Sequence, residues 1–443
     1  MTIDLTNVSI LGYLGTDALA GSAFAGVVTT ISAIVLWQGF GDALITLSSQ
    51  AIGAGNPKLA GVWLQTSLLA ISIGSIPVAI IWWNAGNLLR AAGPLFGDAG
   101  GPSEEIINYS EQYARYSLVW LLPDAWFAAF SQWLNGQQKV RPTMMINFIF
   151  VFYNALANWY MVHGGLGTKF KGLGFIGSPI ATSSTKILRG VFLVIYCCKI
   201  KKIHETCWDK WTMAAISASR LKRFFAQAIP AAMVGLVEQA QFVFITLLVG
   251  TLGDHKTELA AHSGMLNVFS LVSCFMYGLT DAGASTVGLL LGAGEPQTAK
   301  KSGKVLLQMM TVMSASVATM FIICRNYVGK IFSKDEDVIN LAAQLSIVLA
   351  ASYILLSITF ACFGTLQGQG RPHIAALSMF FGLWGLSVPF AYLFGKKYGG
   401  GLVGVWEGLV VGYTTMTFVM CGFVATSKWE DLSAAAVKRS EKG

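Results

Sequence analysis

The segment Asp42–Ala60, DALITLSSQAIGAGNPKLA, recurs 239 residues later as Asp281–Ala299, DAGASTVGLLLGAGEPQTA. Gly53, Ala54, Gly55, Pro57 and Ala60 return in register as Gly292, Ala293, Gly294, Pro296 and Ala299. A second pair follows each copy. Leu134-Asn135-Gly136-Gln137 precedes Arg141-Pro142, and Leu366-Gln367-Gly368-Gln369 precedes Arg371-Pro372. Every block joins two apolar runs through a Gly- and Pro-marked break, which reads as a loop. The chain is therefore read as two related halves in parallel order.

The 443 residues are 54% hydrophobic and 12% charged, about half the charge of a soluble chain, so the class is a polytopic membrane protein. The net charge of +8 does not point to nucleic acid, because the basic residues lie in short loops between apolar runs. The seven cysteines show no CxxC spacing, so neither a disulfide framework nor a zinc site is read. No cleavable signal peptide is read, and no Walker A, HExxH or G-x-S-x-G pattern supports ATP-driven pumping or hydrolysis. No metal and no cofactor is expected.

After a short apolar piece near residues 7–14, eleven runs are long enough to cross a bilayer: 22–50, 60–85, 112–137, 141–163, 175–198, 221–252, 258–291, 303–324, 339–366, 372–395 and 402–425. Barrel strands would be about 10 residues of alternating character, so these are helices. With the short piece counted as the first span, loops after even spans plus the tail hold eighteen Lys and Arg, and loops after odd spans hold nine. That bias places the even loops and the C-terminus in the cytoplasm. The sequon Asn108-Tyr109-Ser110 then falls outside. The expected organisation is a six-helix lobe over 1–198, a basic cytoplasmic linker over 199–220, a second six-helix lobe over 221–425 and a cytoplasmic tail over 426–443. Parallel repeats of this kind have a pseudo-two-fold axis along the membrane normal and belong to transporters, with substrate sites near the midplane. Pairing Leu14-Gly15 with Leu252-Gly253 sets Met1 opposite Gln239. The first helix is therefore expected to lack its front half, through an incomplete gene product in preference to a short native helix.

The span Arg223–Gly253, RFFAQAIPAAMVGLVEQAQFVFITLLVGTLG, carries one carboxylate, Glu238, about two turns after Pro230. A charge at bilayer depth is costly and faces protein or a wet cavity. Proline removes a backbone bond and is expected to bend the helix.

The motifs resemble those of the multidrug and toxin extrusion (MATE) family, its eukaryotic branch most. Gly41–Ala51 is similar to the family's "ALDTLCGQAxGA" and Trp133–Gln137 to its "yLQaQ". Gly292–Gly294 is similar to its "LGAG", and Gly401–Gly408 to its "GlxGLWxG". The resemblance covers nearly the whole chain. It implies twelve helices in two bundles of six, and export of organic compounds, usually cationic, against inward H⁺ or Na⁺. It makes Gln50, Gln137, Gly53, Gly55, Gly292, Gly294 and Pro230 family-motif positions. Glu238 matches the first acid of the family's "CxEWWxxE". The chain departs at the other three acids of this half, where Val243, Asn267 and Leu356 stand.

Depth counted from the loop at 250–258 sets Glu238 about 18 Å and Asn267 about 14 Å down their helices, so the two are expected to pair. A proton and a cationic substrate would then compete for one carboxylate. Na⁺ coupling would need converging oxygens, for which Gln239, Thr246 and Asn267 are few, so H⁺ is preferred. Asp124, after Pro123, is a candidate for gating or substrate contact. Lys186 and Arg189, three apart on one helix face, are candidate partners for it. Asp42 and Asp281 read as caps or ion pairs near loops, Glu407 as interfacial, and Gln50 and Gln137 as interhelical amide contacts. His262 is too shallow to be the proton partner. The expected function is a monomeric H⁺-coupled exporter of small organic cations in the plasma or vacuolar membrane. The alternatives are a flippase for lipid-linked precursors, which would need a strongly cationic cavity, or a non-transporting truncated paralogue.

Overall fold

The computed structural model describes residues 6–7, 10–93, 101–165, 170–208, 217–253 and 255–441. Met1, residues 8–9 of the first apolar piece, residues 209–216 of the basic linker, and Lys169, Lys210 and Lys442 of the charge count lie outside them. Among the described residues there is no β-strand. The long helices are α1 (Thr16–Gly53), α2 (Pro57–Trp83), α3 (Glu104–Gly136), α4 (Arg141–His163), α5 (Gly174–Ile200), α6 (Ala218–Val249), α7 (His255–Gly292), α8 (Pro296–Ile323), α9 (Glu336–Gly368), α10 (Pro372–Lys397) and α11 (Gly401–Ala425). A shorter C-terminal helix, α12 (Trp429–Glu441), follows. Each apolar run of the sequence falls on one of α1–α11. Ten of these are long and apolar enough to cross a membrane. The eleventh, α3, is long enough at 33 residues, roughly 50 Å, but carries Glu104, Glu105, Glu111, Arg115 and Asp124 along its length.

The helices are amphipathic in the reverse sense to those of a soluble protein. On α4 the exposed side chains include Met144, Phe148, Phe152 and Leu156, while Asn154 and Asn158 are fully buried. Lipid cannot hydrogen-bond an amide, so the polar groups turn inward and the apolar ones outward. On α9, Ser346, Ser352, Ser357 and Thr359 are all fully buried. Thr359 and Thr417 bond across to α11 at 2.9 Å, and Tyr353 donates to the Val272 carbonyl of α7 at 2.9 Å. Ser110 of the sequon is likewise fully buried and donates to the Gly21 carbonyl at 2.8 Å.

Backbone contacts divide the chain into two compact units. Unit 1 comprises 1–44, 61–134 and 139–221; unit 2 comprises 45–60, 135–138 and 222–443. Within unit 2 the repeated blocks end their helices in the same way. Gly55 and Gly294 are left-handed, with φ of 72° and 77°. Around them Asn56 N–H reaches the Ala51 carbonyl and Glu295 N–H the Leu290 carbonyl, at 2.9 and 3.0 Å. These are Schellman caps, followed by Pro57 and Pro296 at the start of the next helix. The second pair repeats the device. Lys139 N–H bonds Leu134 O at 2.9 Å, and Arg371 N–H bonds Leu366 O at 2.8 Å. There the left-handed residue is Gly370 in one copy and Gln138, at φ 58°, in the other.

The motif positions Gly53 and Gly292 let two backbones touch. A Cβ on Gly53 would land on the Leu289 carbonyl, and one on Gly292 on the Gln50 carbonyl. Gln50 Nε2 donates to the Gly368 carbonyl at 2.9 Å and Thr46 to Gln367 O at 3.1 Å. This is the interhelical amide contact expected of Gln50.

Two outcomes follow for thermal unfolding in detergent. Gly53→Ala overpacks a backbone contact, which costs about 1–3 kcal/mol, and lowers the melting temperature, whereas Gly422→Ala, with open space around it, leaves it unchanged. Gln138→Gly relieves a left-handed non-glycine and raises stability by about 1 kcal/mol; a lower melting temperature would contradict this account of the cap.

Candidate functional site

In unit 2 the centre is Glu238 on α6, 4% exposed. It is the one buried carboxylate among the described residues of that unit. α6 runs without a break through Pro230, although proline removes the N–H that would bond the carbonyl four residues back. Tyr277 Oη on α7 donates to Glu238 Oε1 at 3.1 Å. One turn further along the same face, Gln241 is fully buried and accepts from Tyr413 Oη at 3.5 Å. Its Nε2 is buried with no acceptor. Trp384 of α10 donates its indole N–H to the Val237 carbonyl, beside Glu238, at 3.1 Å. Trp384 lies in a seven-residue π-helical stretch, Phe381–Ser387, the kind of bulge that re-aims side chains at functional sites.

The expected pairing of Glu238 with Asn267 is corrected: Asn267 is exposed, and Tyr277, ten residues further along α7, takes its place. Counting rise from a loop gives a depth along each helix but not the face a residue presents, and Asn267 lies on the exposed face of α7. Gln239 is half-buried and rotated off the Glu238–Gln241 face. Thr246 is engaged elsewhere. Trp406 N–H donates to His262 Nδ1 at 3.3 Å, so the ring proton sits on Nε2, which donates to Thr246 Oγ1 at 3.1 Å. Thr246 in turn donates to the Phe242 carbonyl at 2.8 Å. His262 is thereby fixed as a satisfied structural residue, apart from Glu238.

In unit 1 the expected cluster forms. Asp124 of α3, 8% exposed, bonds Arg189 of α5 and lies 3.2 Å from Lys186 Nζ. Arg189 also donates to Asn147 Oδ1 at 3.1 Å and covers the Phe127 ring at 4.0 Å. Lys186 Nζ sits 3.1 Å from the ring centre of Trp120. The three charged side chains line a cavity of about 520 Å³. Near it Asn7 accepts from Asn154 and Asn158 at 3.2 and 2.8 Å and donates to Thr182 at 3.0 Å.

Of the remaining positions, Asp42, Gln50 and Gln137 are buried, Asp281 is half-buried and Glu407 is exposed. Tyr277, Gln241 and Tyr413, and Trp37 and Trp120, were not singled out from the sequence. Gln241 and Trp120 could have been found, since they stand three and four residues from the acids at 238 and 124 on the same helix faces.

Asp124→Ala strands two partly buried cations. Thermal unfolding is expected to show a loss of about 1–3 kcal/mol, less than for a fully enclosed pair because Lys186 and Arg189 keep 12% and 15% of their surface. Asp124→Ala with Lys186→Met recovers part of it. Equal stability of Asp124→Ala and the native chain would show that the cluster is neutral to folding.

A family model described as MatE matches residues 1–160 and 230–393. The chain is 25% identical over 441 residues to Protein DETOXIFICATION 16 of Arabidopsis thaliana, covering 99% of this chain and 87% of that one. It is 26% identical over 421 residues to Multidrug and toxin extrusion protein 1 of Homo sapiens, covering 95% and 70%. The crystal structure of the eukaryotic MATE transporter AtDTX14 superposes with a TM-score of 0.89 at 23% identity, covering 99% and 94%, a likeness of fold. The chain belongs to the MatE family of multidrug and toxin extrusion transporters and is a multi-pass membrane protein.

Proposed function

We propose that this transporter is an antiporter that exports small organic cations in exchange for H⁺, with Glu238 as the coupling group. The observation that carries the reading is the single buried carboxylate among the described residues of unit 2, whose hydrogen-bond donor, Tyr277, is neutral. A carboxylate so placed needs a positive counterpart, and a proton or an organic cation supplies it in turn. The surroundings favour a proton over Na⁺. Of the oxygens that would have to converge on a metal ion, Asn267 is exposed and Thr246 is held by His262 and Phe242.

In this reading residues 1–198 and 221–425 act as two helical lobes. The linker 199–220 and the tail 426–443 lie on the cytoplasmic side of a plasma or vacuolar membrane, as the loop charges suggest, and the protein works as a monomer. A flippase for lipid-linked precursors would call for a strongly cationic cavity. Lys186 and Arg189 do line the unit 1 cavity, but they share Asp124, which leaves a net charge too small for a pyrophosphate, and export is the better reading.

In proteoliposomes with an imposed pH gradient, Glu238→Gln is expected to abolish counterflow of a fluorescent organic cation, and Tyr277→Phe to reduce it while leaving a residual rate. Both proteins should be inserted at native levels. Native rates in Glu238→Gln, or native transport driven by Na⁺ alone, would sink the proposal.

A further inference from the structure

The unit 1 cavity carries charge that the export reading does not use. Its described charged lining is Asp124, Lys186 and Arg189, two cations against one anion, a net of +1. The carboxylate is already bonded to both cations. The aromatic faces are also taken. Trp37 and Trp120 stack at 5.9 Å and 17°, and the Lys186 ammonium lies 3.1 Å from one ring centre and 5.6 Å from the other. Aromatic faces beside a carboxylate are a natural seat for an organic cation. Here that seat is filled by the protein's own tethered cation, which outcompetes a free one through its local concentration.

The indole N–H groups of Trp37 and Trp120 and the Nε–H of Arg189 are buried without an acceptor. They are closed to the cavity surface and offer a ligand no bond of their own. What a ligand meets is the charge of Lys186 and Arg189 over Asp124, and a carboxylate, which only accepts, complements that net positive lining.

We propose that the unit 1 cavity is a binding site for organic anions, seating an aromatic carboxylate whose charge faces Lys186 and Arg189. The polarity of the site is set by those two residues over Asp124. This inference concerns unit 1 alone and does not rest on Glu238.

The test is equilibrium binding to the purified full-length protein of three probes of one shape: 2-naphthoate, its uncharged carboxamide and the trimethylammonium analogue. The native protein is expected to bind naphthoate about tenfold tighter than either of the others. Lys186→Gln brings the described net charge to zero and weakens naphthoate about tenfold. Lys186→Gln with Arg189→Gln reverses the preference toward the ammonium probe. Asp124→Asn raises the charge and tightens naphthoate, a gain that a merely destabilised protein would not show. Glu238→Gln leaves naphthoate binding unchanged, which separates this site from the proton-coupling proposal. Equal binding of naphthoate and its carboxamide, persistence of naphthoate binding in the double variant, or no tightening in Asp124→Asn would each overturn the proposal.

Discussion

A bilayer offers no partner to a polar group, and the architecture follows from that constraint. It explains why α4 turns Asn154 and Asn158 inward and sends Phe148, Phe152 and Leu156 out. It explains why the serines and threonines of α9 are buried in the middle of unit 2, with Ser346 and Thr365 bonded to their own backbone and Thr359 to Thr417 of α11. Interhelical contact here comes from close backbone approach and from polar side chains, because apolar burial discriminates little between lipid and protein. Gly53 and Gly292, each closed against a carbonyl of the facing helix, are that principle in its simplest form.

The same constraint makes each buried acid informative, and the two units resolve it differently. Asp124 is matched by two cations and held by geometry on two helices. Its charge is compensated whether or not anything binds. Glu238 receives a hydrogen bond from a neutral phenol, and its neighbour Gln241 has a donor without an acceptor. In the proposed exchange such a group responds to what arrives: a proton removes its charge, and a cation balances it. The contrast between the two acids is a matter of partners, since both are less than a tenth exposed.

Much of this was legible in the residues. Run length placed α1–α11, because a bilayer demands about twenty apolar residues whatever their order. The repeat placed four breaks between helices, three of which turn on a left-handed glycine ahead of a proline. The spacing of Lys186 and Arg189 put both on one face toward Asp124. What was not legible depended on the third dimension. Tyr277 meets Glu238 while Asn267 faces outward, because counting residues from a loop does not tell which face of a helix a residue presents. Trp384 reaches α6 through a π-helical stretch that no composition signal marks. Gln138 occupies a left-handed position where its repeat partner is glycine, so only the comparison between the halves would have found it.

The central claim is that a proton and an organic cation exclude each other at Glu238. It is tested most directly by calorimetric titration of the purified protein with an organic cation in two buffers of different ionisation enthalpy, below and above the pH at which the carboxyl loses its proton. The account predicts release of about one proton per cation bound on the acidic side, none on the alkaline side, and none at either pH in Glu238→Gln. Cation binding without proton release in the native protein at every pH would contradict it.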